Sequence, residues 1–228
     1  MDALNPNQII EKEKQFYNGF AEQYEEKWLN LPEWQPLLMQ EEEILAKYMT
    51  RAGDLVDIGC GTGRIVIPYA KKGFRCRGID ISEKMLSIAR KRARVQNLDI
   101  NFLCQNAVES KLPSNSFDYA LVIFDMLSII PGNESRMKLL KNLYQSLRPK
   151  GFLFSSVWTY SETKDVVLNE EGTLLPSRFW KKEDLVNLIE NCGFQLLETK
   201  PASQPNHCRE ILDHVLFVTF VFRKMNGS

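Results

Sequence analysis

The sequence predicts an α/β fold in which a mostly parallel sheet is covered by helices on both faces. From residue 53 onward short apolar runs alternate with amphipathic stretches, and the first apolar run ends in glycines at alternate positions. Repeated strand-then-helix units are typical of a parallel sheet with right-handed crossovers. The last two apolar runs have no helix between them, which predicts an antiparallel strand at the end of the sheet.

The composition is that of an ordinary globular protein. The 228 residues include 29 Lys+Arg and 29 Asp+Glu, and 44% are hydrophobic, which excludes a collagen-like or disordered chain. A net charge of zero disfavours nucleic acid as an obligatory partner. The five cysteines are scattered, and neither a signal peptide nor a membrane span is evident. We therefore expect a cytoplasmic protein with no membrane association, present as a monomer or a homodimer.

Residues 1–50 are predicted to form an N-terminal helical segment. Its aromatic residues recur at helical spacing, which indicates one aromatic face. Prolines interrupt the helical pattern, and a second helix is predicted over Leu37–Met49. The aromatic residues are Phe16, Tyr17, Phe20, Tyr24 and Trp28.

Residues 51–228 are predicted to form the core of the fold. Ser82 is predicted to cap one of its helices. The segment 159–180 is long, polar and irregular, and is expected to be a lid or a pocket loop. The predicted strands are Leu55–Ile58, Arg75–Ile79, Asn101–Cys104, Phe117–Phe124, Phe152–Val157, Phe194–Glu198 and His214–Phe222, and further helices are predicted over Thr62–Lys72, Glu134–Leu147 and Lys182–Cys192.

The turn after the first strand carries Gly59, Gly61 and Gly63. Glycines let the backbone turn sharply and let a ligand approach closely, and the amides at the start of the next helix favour an anion. The spacing is GxGxG, and Arg64 stands where a dinucleotide fingerprint has its third glycine. The alternative is a tight turn without a ligand.

Asp80 ends the second predicted strand, 21 residues after Gly59. Ligands of open parallel sheets bind beyond the carboxyl ends of the strands, where a carboxylate can accept both hydroxyls of a ribose. The alternative is a helix-capping aspartate, but Ser82 already suits that role.

The two motifs Val56–Gly63 and Gly78–Ser82 resemble those of the class I S-adenosylmethionine-dependent methyltransferases, in their small, single-domain, small-molecule type. Later motifs match in order, at 106–107, 117–122 and 147–152. The resemblance covers about residues 15–222. It implies a Rossmann-like seven-stranded sheet with an antiparallel last strand, S-adenosyl-L-methionine as cofactor and S-adenosyl-L-homocysteine as product.

The resemblance also implies which residues hold the cofactor. Asn106 stands where the family commonly has Asp, so it would accept from the adenine amino group without a charge. The N-terminal segment with Tyr24 would close over the cofactor, and plain packing onto the sheet is the alternative for Tyr24. The other implied contacts are, for the methionine portion, Asp57, Gly59, Cys60, Gly61, Gly63 and the backbone of Phe124; for the ribose, Asp80; and for the adenosine, Ile81, Met85, Asn106 and Ala107.

The sequence contains fewer recognisable motifs for the acceptor site than for the cofactor site. Methyl transfer is an in-line displacement, for which the protein mainly positions the nucleophile and removes its water, and no general base stands out in the sequence. Asp125 follows the fourth strand and is the candidate for holding an amine or hydroxyl, with a plain solvated carboxylate as the alternative. Tyr17, Trp158 and Tyr160 are candidate pocket walls, with simple packing as the alternative for Tyr17.

The leading hypothesis is methyl transfer to a small-molecule substrate. The alternatives are an RNA-modifying methyltransferase, suggested by a basic cluster within residues 84–94, and a non-catalytic cofactor-binding partner protein. No metal is expected, because His207, Cys208 and His214 give three candidate ligands without a recognised spacing. Arg64 disfavours an NAD-dependent oxidoreductase.

Overall fold

The computed structural model describes residues 5–170, 173–202 and 216–225. Over these residues the chain forms nine strands and seven α-helices. The helices are α1 Pro6–Phe20, α2 Gln35–Tyr48, α3 Val66–Lys71, α4 Glu83–Val95, α5 Met126–Ile129, α6 Asn133–Ser146 and α7 Lys182–Glu190. The strands are β1 Asp54–Ile58, β2 Arg75–Asp80, β3 Asn101–Cys104, β4 Phe117–Val122, β5 Leu147–Tyr160, β6 Lys164–Glu170, β7 Thr173–Lys181, β8 Phe194–Pro201 and β9 Leu216–Lys224.

Seven of the strands form the central sheet, in the order β3-β2-β1-β4-β5-β9-β8. The first five run parallel, and β9 runs antiparallel to both β5 and β8. The predicted Rossmann-like sheet with an antiparallel last strand is confirmed. Strands β6 and β7 add to it a hairpin that pairs with the far end of β5.

Helices cover both faces of the sheet, as predicted. Alternate residues of a strand point to opposite faces, so Val56 packs among residues of one core and Leu55 among residues of the other. On the first face the sheet packs against Leu143 of α6, and on the second against Leu45 of α2 and Leu86 of α4. All these side chains are completely buried.

The hairpin corrects the expectation that 159–180 is an irregular loop. Strands β6 and β7 pair from Lys164 opposite Phe179 to Glu170 opposite Thr173. In β7 the buried Leu175, Ser177 and Phe179 alternate with the more exposed Pro176 and Arg178, which is the pattern of a strand with one face on a core. Pro176 hides this pattern in the sequence. A proline is tolerated there because β7 pairs with β5 only at its last two residues.

Two further boundaries differ from the prediction at the ends of β1 and β4. Helix α3 begins at Val66 rather than at residue 62, because the glycine turn continues to that point. Strand β4 ends at Val122, since Phe124 and Asp125 have φ of +54° and +65°, outside the extended region. The short helix α5 that follows was not predicted.

The N-terminal segment contains α1, a π-helical turn at Glu25–Leu29, a 3₁₀ turn at Pro32–Trp34 and α2. Its aromatic face is confirmed as a packing surface, because Phe16 and Phe20 pack against Leu175 of β7. The boundary of this segment at residue 50 stays a prediction. Among the described residues no helix combines the length and the apolar character that crossing a membrane requires.

Candidate functional site

A cavity of about 380 Å³ lies at the carboxyl ends of the parallel strands. Its wall includes Gly59 and Gly61 after β1, Asp80 at the end of β2 and Phe124 after β4. Residues of the N-terminal segment and of β7 complete the wall from other directions. The cavity therefore occupies the position at which open parallel sheets bind ligands.

The three glycines of the turn have different tasks. All have positive φ, of +73° at Gly59, +53° at Gly61 and +87° at Gly63, a region that favours glycine. A Cβ on Gly61 would meet no atom within 4 Å, whereas on Gly63 it would lie 2.8 Å from Cδ1 of Ile67. Gly61 thus leaves open space beside the cavity, and Gly63 allows the turn to pack on α3.

Asp80 is held at the cavity wall by two backbone amides. Its Oδ2 accepts from the N–H of Gly61 and its Oδ1 from the N–H of Ser82, each at 2.8 Å. Burial raises the pKa of Asp80, and these amides act in the opposite direction. Ser82 caps α4 as predicted, accepting from the N–H of Met85 at 3.2 Å.

Three predicted cofactor residues lie behind the wall rather than in it: Asp57, Cys60 and Gly63. Burial raises the pKa of Asp57 to about 7, while the charge of Arg64 acts to lower it. The thiol of Cys60 packs against Gly78, where an added Cβ would lie 2.6 Å from Sγ, and burial raises its pKa well above the ordinary value. Cys60 is therefore a protonated spacer in the core.

A buried carboxylate from α2 connects the turn to the end of β4. Glu41 accepts from Arg64 at 2.7 Å and from the N–H of Phe124 at 3.2 Å, and it also accepts from the hydroxyl of Ser156. Phe124 donates to Ser156 Oγ at 2.6 Å as well. The guanidinium of Arg64 in turn lies 5.2 Å from the centre of the Phe124 ring.

Asp125 lines the cavity from a strained backbone. It and Phe124 are consecutive non-glycine residues in the left-handed region, which is uncommon and concentrated at functional sites. Its Oδ1 accepts from Ser128 Oγ at 2.5 Å and from the N–H of Trp158 at 3.2 Å. Burial raises the pKa of Asp125 to about 7, and the hydrogen bonds from Ser128 and Trp158 oppose that rise.

Aromatic rings form a continuous wall on one side of the cavity. Tyr24 stacks on Trp28 with centroids 6.2 Å apart, and Trp28 stacks on Trp34 at 5.7 Å. Trp158 meets Trp34 edge-on at 6.1 Å and Phe217 at 5.1 Å. All five residues line the cavity. Offset and edge-on contacts of this kind hold rings in fixed orientations.

The structure brings most of the predicted site residues to this cavity. Their roles in binding stay predictions. Those in the wall are Tyr17, Tyr24, Gly59, Gly61, Asp80, Ile81, Met85, Asn106, Ala107, Phe124, Asp125 and Trp158.

Tyr160 does not belong to the cavity wall, which corrects that prediction. It pairs with Lys181 of the hairpin, and Lys164 Nζ lies 3.9 Å from the centre of its ring. The sequence also missed several wall residues. The spacing of Trp28 from Tyr24 was a usable signal, and Gln105 and Ile129 lie close in the chain to the predicted Asn106 and Asp125. The others join the site through long-range packing: Glu13, Trp34, Leu175, Ser177 and Phe217.

Neither a metal site nor a nucleic-acid surface gains support within the described ranges. Residues 207, 208 and 214 lie outside them, and inside them no group of three or more His, Cys, Asp or Glu is placed to hold a metal. In the basic cluster Arg90 pairs with Glu83 at 2.6 Å, and Arg92 pairs with Glu25. Part of the positive charge of this helix is therefore neutralised.

Comparison with known proteins gives a family match over the sheet region. Residues 55–151 match the family described as "Methyltransferase domain". The chain is 33% identical over 141 residues to YqeM of Bacillus subtilis (strain 168), by its name a candidate methyltransferase, covering 62% of this chain and 55% of that protein. It is 27% identical over 154 residues to a ubiquinone biosynthesis O-methyltransferase of Coxiella burnetii (strain RSA 331), covering 63% and 64%. The matches thus span less than two thirds of the length of these curated relatives.

The fold is shared with solved structures of low sequence identity. The 1,6-didemethyltoxoflavin-N1-methyltransferase of Burkholderia thailandensis superposes with a TM-score of 0.79 at 17% identity, over 99% of this chain and 93% of that one. Its crystal structure contains 1,6-didemethyltoxoflavin and S-adenosylhomocysteine. The glycine turn, the carboxylate at the tip of β2 and the family match over residues 55–151 together make the chain similar to the class I S-adenosylmethionine-dependent methyltransferases, which use S-adenosyl-L-methionine as cofactor.

Proposed function

We propose that this chain transfers a methyl group from S-adenosyl-L-methionine to a small-molecule acceptor by in-line displacement. The observation that carries the proposal is a single cavity whose wall contains both Asp80 and, on the other side, Asp125 and Trp158. The N-terminal segment and β7 contribute to the same wall, so the cavity is bounded above the sheet as well as below. A cavity of about 380 Å³ suits a small acceptor better than a macromolecular one.

The residues present fit the cofactor. Each oxygen of Asp80 accepts one backbone hydrogen bond and retains a lone pair for a ribose hydroxyl. Ile81 and Met85 offer apolar flanks for the adenosine, and the open space at Gly61 leaves room for close approach. The side-chain carbonyl oxygen of Asn106 accepts a hydrogen bond from the N–H of Val108 at 3.0 Å, and it can accept a second hydrogen bond from the adenine edge.

When bound, the cofactor supplies an electrophilic methyl group, and an acceptor atom attacks this methyl carbon in line with the carbon–sulfur bond that breaks. The protein then has to orient the acceptor and exclude water. Asp125 can hold an N–H or O–H group, because its Oδ1 is engaged by Ser128 and Trp158 while its Oδ2 accepts no hydrogen bond from the described residues. The aromatic wall gives the space beside it an apolar surface, which favours the removal of water when an acceptor binds.

The compared proteins support a small acceptor. The Burkholderia enzyme is named for N1-methylation of 1,6-didemethyltoxoflavin, and the Coxiella relative is named for an O-methylation in ubiquinone biosynthesis. The RNA alternative draws on the basic helix α4, where Arg90 and Arg92 are engaged with carboxylates. Location in the cytoplasm and a monomeric or homodimeric state stay predictions from the sequence.

A labelling experiment tests the proposal. The purified chain is incubated with cofactor labelled in its methyl group, together with either a protein-free small-molecule extract or bulk tRNA. We expect label in the small-molecule fraction, and loss of that label in Asp80→Ala. Label confined to tRNA would support the RNA alternative. Binding of S-adenosylhomocysteine without any transfer would support the non-catalytic partner.

A further inference from the structure

Two polar groups in the cavity wall can form hydrogen bonds for which the described residues supply no partner. Ser177 on β7 is 4% exposed, and its hydroxyl has no hydrogen-bond partner in the described structure. Asp125 presents an Oδ2 that likewise accepts no hydrogen bond from the described residues. A buried polar group without a partner costs about 1–3 kcal/mol, so such groups at a cavity indicate a ligand that completes them.

Asp125 and the strand that carries Ser177 are linked through one hydroxyl, that of Ser128. Ser128 donates to Asp125 Oδ1 at 2.5 Å, and it accepts from Trp180 Nε1 of β7 at 3.2 Å. The strand that carries Ser177 is therefore fixed relative to Asp125 through Ser128. This link gives the two polar groups a defined spacing, which a rigid ligand can match.

The remaining wall around these groups favours a flat ring system. Trp28, Trp34 and Trp158 offer faces and edges to the cavity, and Ile129 and Leu175 add apolar surface. Aromatic rings pack on one another face-offset or edge-on, and their faces attract positive rather than negative charge. An anionic acceptor would in addition meet the carboxylate of Asp125.

We propose that Asp125 and Ser177 form a two-point site for a planar heteroaromatic acceptor, in which an amino nitrogen faces Asp125 and a ring nitrogen accepts a hydrogen bond from Ser177. The inference rests on the proposed methyl transfer and names its substrate class. An amine suits this site because it offers an N–H to the carboxylate and still has a lone pair. A hydroxyl acceptor is a weaker nucleophile until it has given up its proton, and Asp125 would have to take that proton before the methyl transfer.

The transfer balances with these groups alone. The nitrogen lone pair forms the new N–C bond, and the sulfur retains the electron pair of the broken C–S bond. The positive charge thereby passes to nitrogen, and the surplus N–H proton passes to Oδ2 of Asp125. The products are a neutral methylated amine, a neutral thioether and a protonated carboxyl group.

Binding of matched ring compounds to the complex with S-adenosylhomocysteine tests the substrate class. The probes are an aminoquinoline, the quinoline carboxylate with the same ring position, and the aminonaphthalene that lacks only the ring nitrogen. We expect calorimetry to show the aminoquinoline binding at least about tenfold more tightly than the carboxylate. Equal affinity, tighter binding of the carboxylate, or no binding of the aminoquinoline would overturn the inference.

Two serine variants separate a role in recognition from a structural one. Ser155 on β5 is also completely buried with an unpartnered hydroxyl, but it does not line the cavity. We expect Ser177→Ala to weaken aminoquinoline binding about fivefold to tenfold, to leave aminonaphthalene binding unchanged, and to keep the affinity for S-adenosylhomocysteine. Ser155→Ala should change none of these.

The outcomes distinguish the inference from the function on which it rests. A loss that is equal in the two serine variants, or equal for both ring compounds, contradicts the role of Ser177. Failure of the unmodified protein to bind S-adenosylhomocysteine contradicts the proposed function instead. Binding of S-adenosylhomocysteine together with indifference to the amine leaves methyl transfer standing and removes the two-point site.

Discussion

Glu41 on α2 accepts a hydrogen bond of 2.7 Å from Arg64, the residue that follows the glycine turn. The side chain of Glu41 is completely buried and that of Arg64 is 21% exposed. Glu41 also accepts from the N–H of Phe124, so one carboxylate ties the N-terminal segment to both sides of the cavity floor. The segment that covers the cavity and the turn that shapes it are thus parts of one polar network.

We predict that Glu41→Gln destabilises the protein by about 3–5 kcal/mol, because it leaves the buried part of Arg64 without its counter-charge. Urea denaturation followed by circular dichroism measures this change. Glu42→Gln is the matched control, since Glu42 is an exposed neighbour on the same helix, and it should change stability by less than about 0.5 kcal/mol. Equal small effects of the two substitutions would contradict the network.

The glycine turn predicts a contrast between two substitutions. Gly61→Ala places a methyl group in open space, so its cost is the left-handed backbone of about 1–2 kcal/mol, but the methyl group enters the proposed cofactor space. Gly63→Ala adds a collision with Ile67 to the same strain and should cost about 3 kcal/mol or more. Thermal unfolding and cofactor titration together check the contrast. Binding of S-adenosylhomocysteine to Gly61→Ala as tight as to the unmodified protein would contradict a cofactor site beside Gly61.

Glu25 links the N-terminal segment, which contributes to the cavity wall, to α4 and to the glycine turn. Its carboxylate accepts from Arg92 Nη2 and from Thr62 Oγ1, at 2.6 and 2.7 Å. We expect Glu25→Gln to speed dissociation of S-adenosylhomocysteine about fivefold, a modest factor because both charged partners are partly exposed. Stopped-flow measurement gives the rate, and the exposed Glu26→Gln is the control from the same turn. Identical rates for the two variants would speak against this contact.

Asp125 predicts a pH dependence of stability. Its pKa is about 7 in the folded protein and 3.8 in the unfolded chain. Between these values the folded state holds a proton that the unfolded state has released, so the contribution of this group is complete below pH 3.8 and declines as pH rises through about 7.

Removing the ionisable group should remove that decline. From about pH 4 to about pH 8, the free energy of unfolding of the unmodified protein should fall relative to Asp125→Asn by on the order of 2–4 kcal/mol. Asp165→Asn is the opposing control, because Arg178 lowers the pKa of Asp165 and its contribution is lost towards acid. Parallel stability curves for Asp125→Asn and the unmodified protein would refute the buried carboxylate.

The parts of the site that sequence predicts are those that local backbone chemistry determines. The ends of β1 and β2 carry Gly59, Gly61 and Asp80. At these ends the neighbouring residues determine the turn type and the strand boundary. Ser82 caps α4 by accepting a hydrogen bond from the N–H of Met85, three residues further along the chain. Such relations span only a few positions, so a pattern of residue types suffices to predict them.

The parts that sequence does not predict depend on pairing across the chain. Phe217 of β9 reaches Trp158 of β5 because antiparallel pairing places them opposite each other. Ser177 enters the wall only because β6 and β7 form a hairpin that Pro176 conceals. No short pattern encodes such contacts, which explains why the part of the wall at the glycine turn and the end of β2 was predicted more completely than the part formed by β5, β7 and β9.

The most direct test of the account is a calorimetric titration of S-adenosylhomocysteine into the purified protein and into Asp80→Asn. The amide retains an oxygen for one backbone contact but loses the charge that the ribose hydroxyls would meet. We predict measurable binding to the unmodified protein and affinity lower by about tenfold to a hundredfold in the variant, with circular dichroism showing that both are folded. Absence of binding to the unmodified protein, or equal affinity in the two, would contradict the central claim that this cavity holds the cofactor.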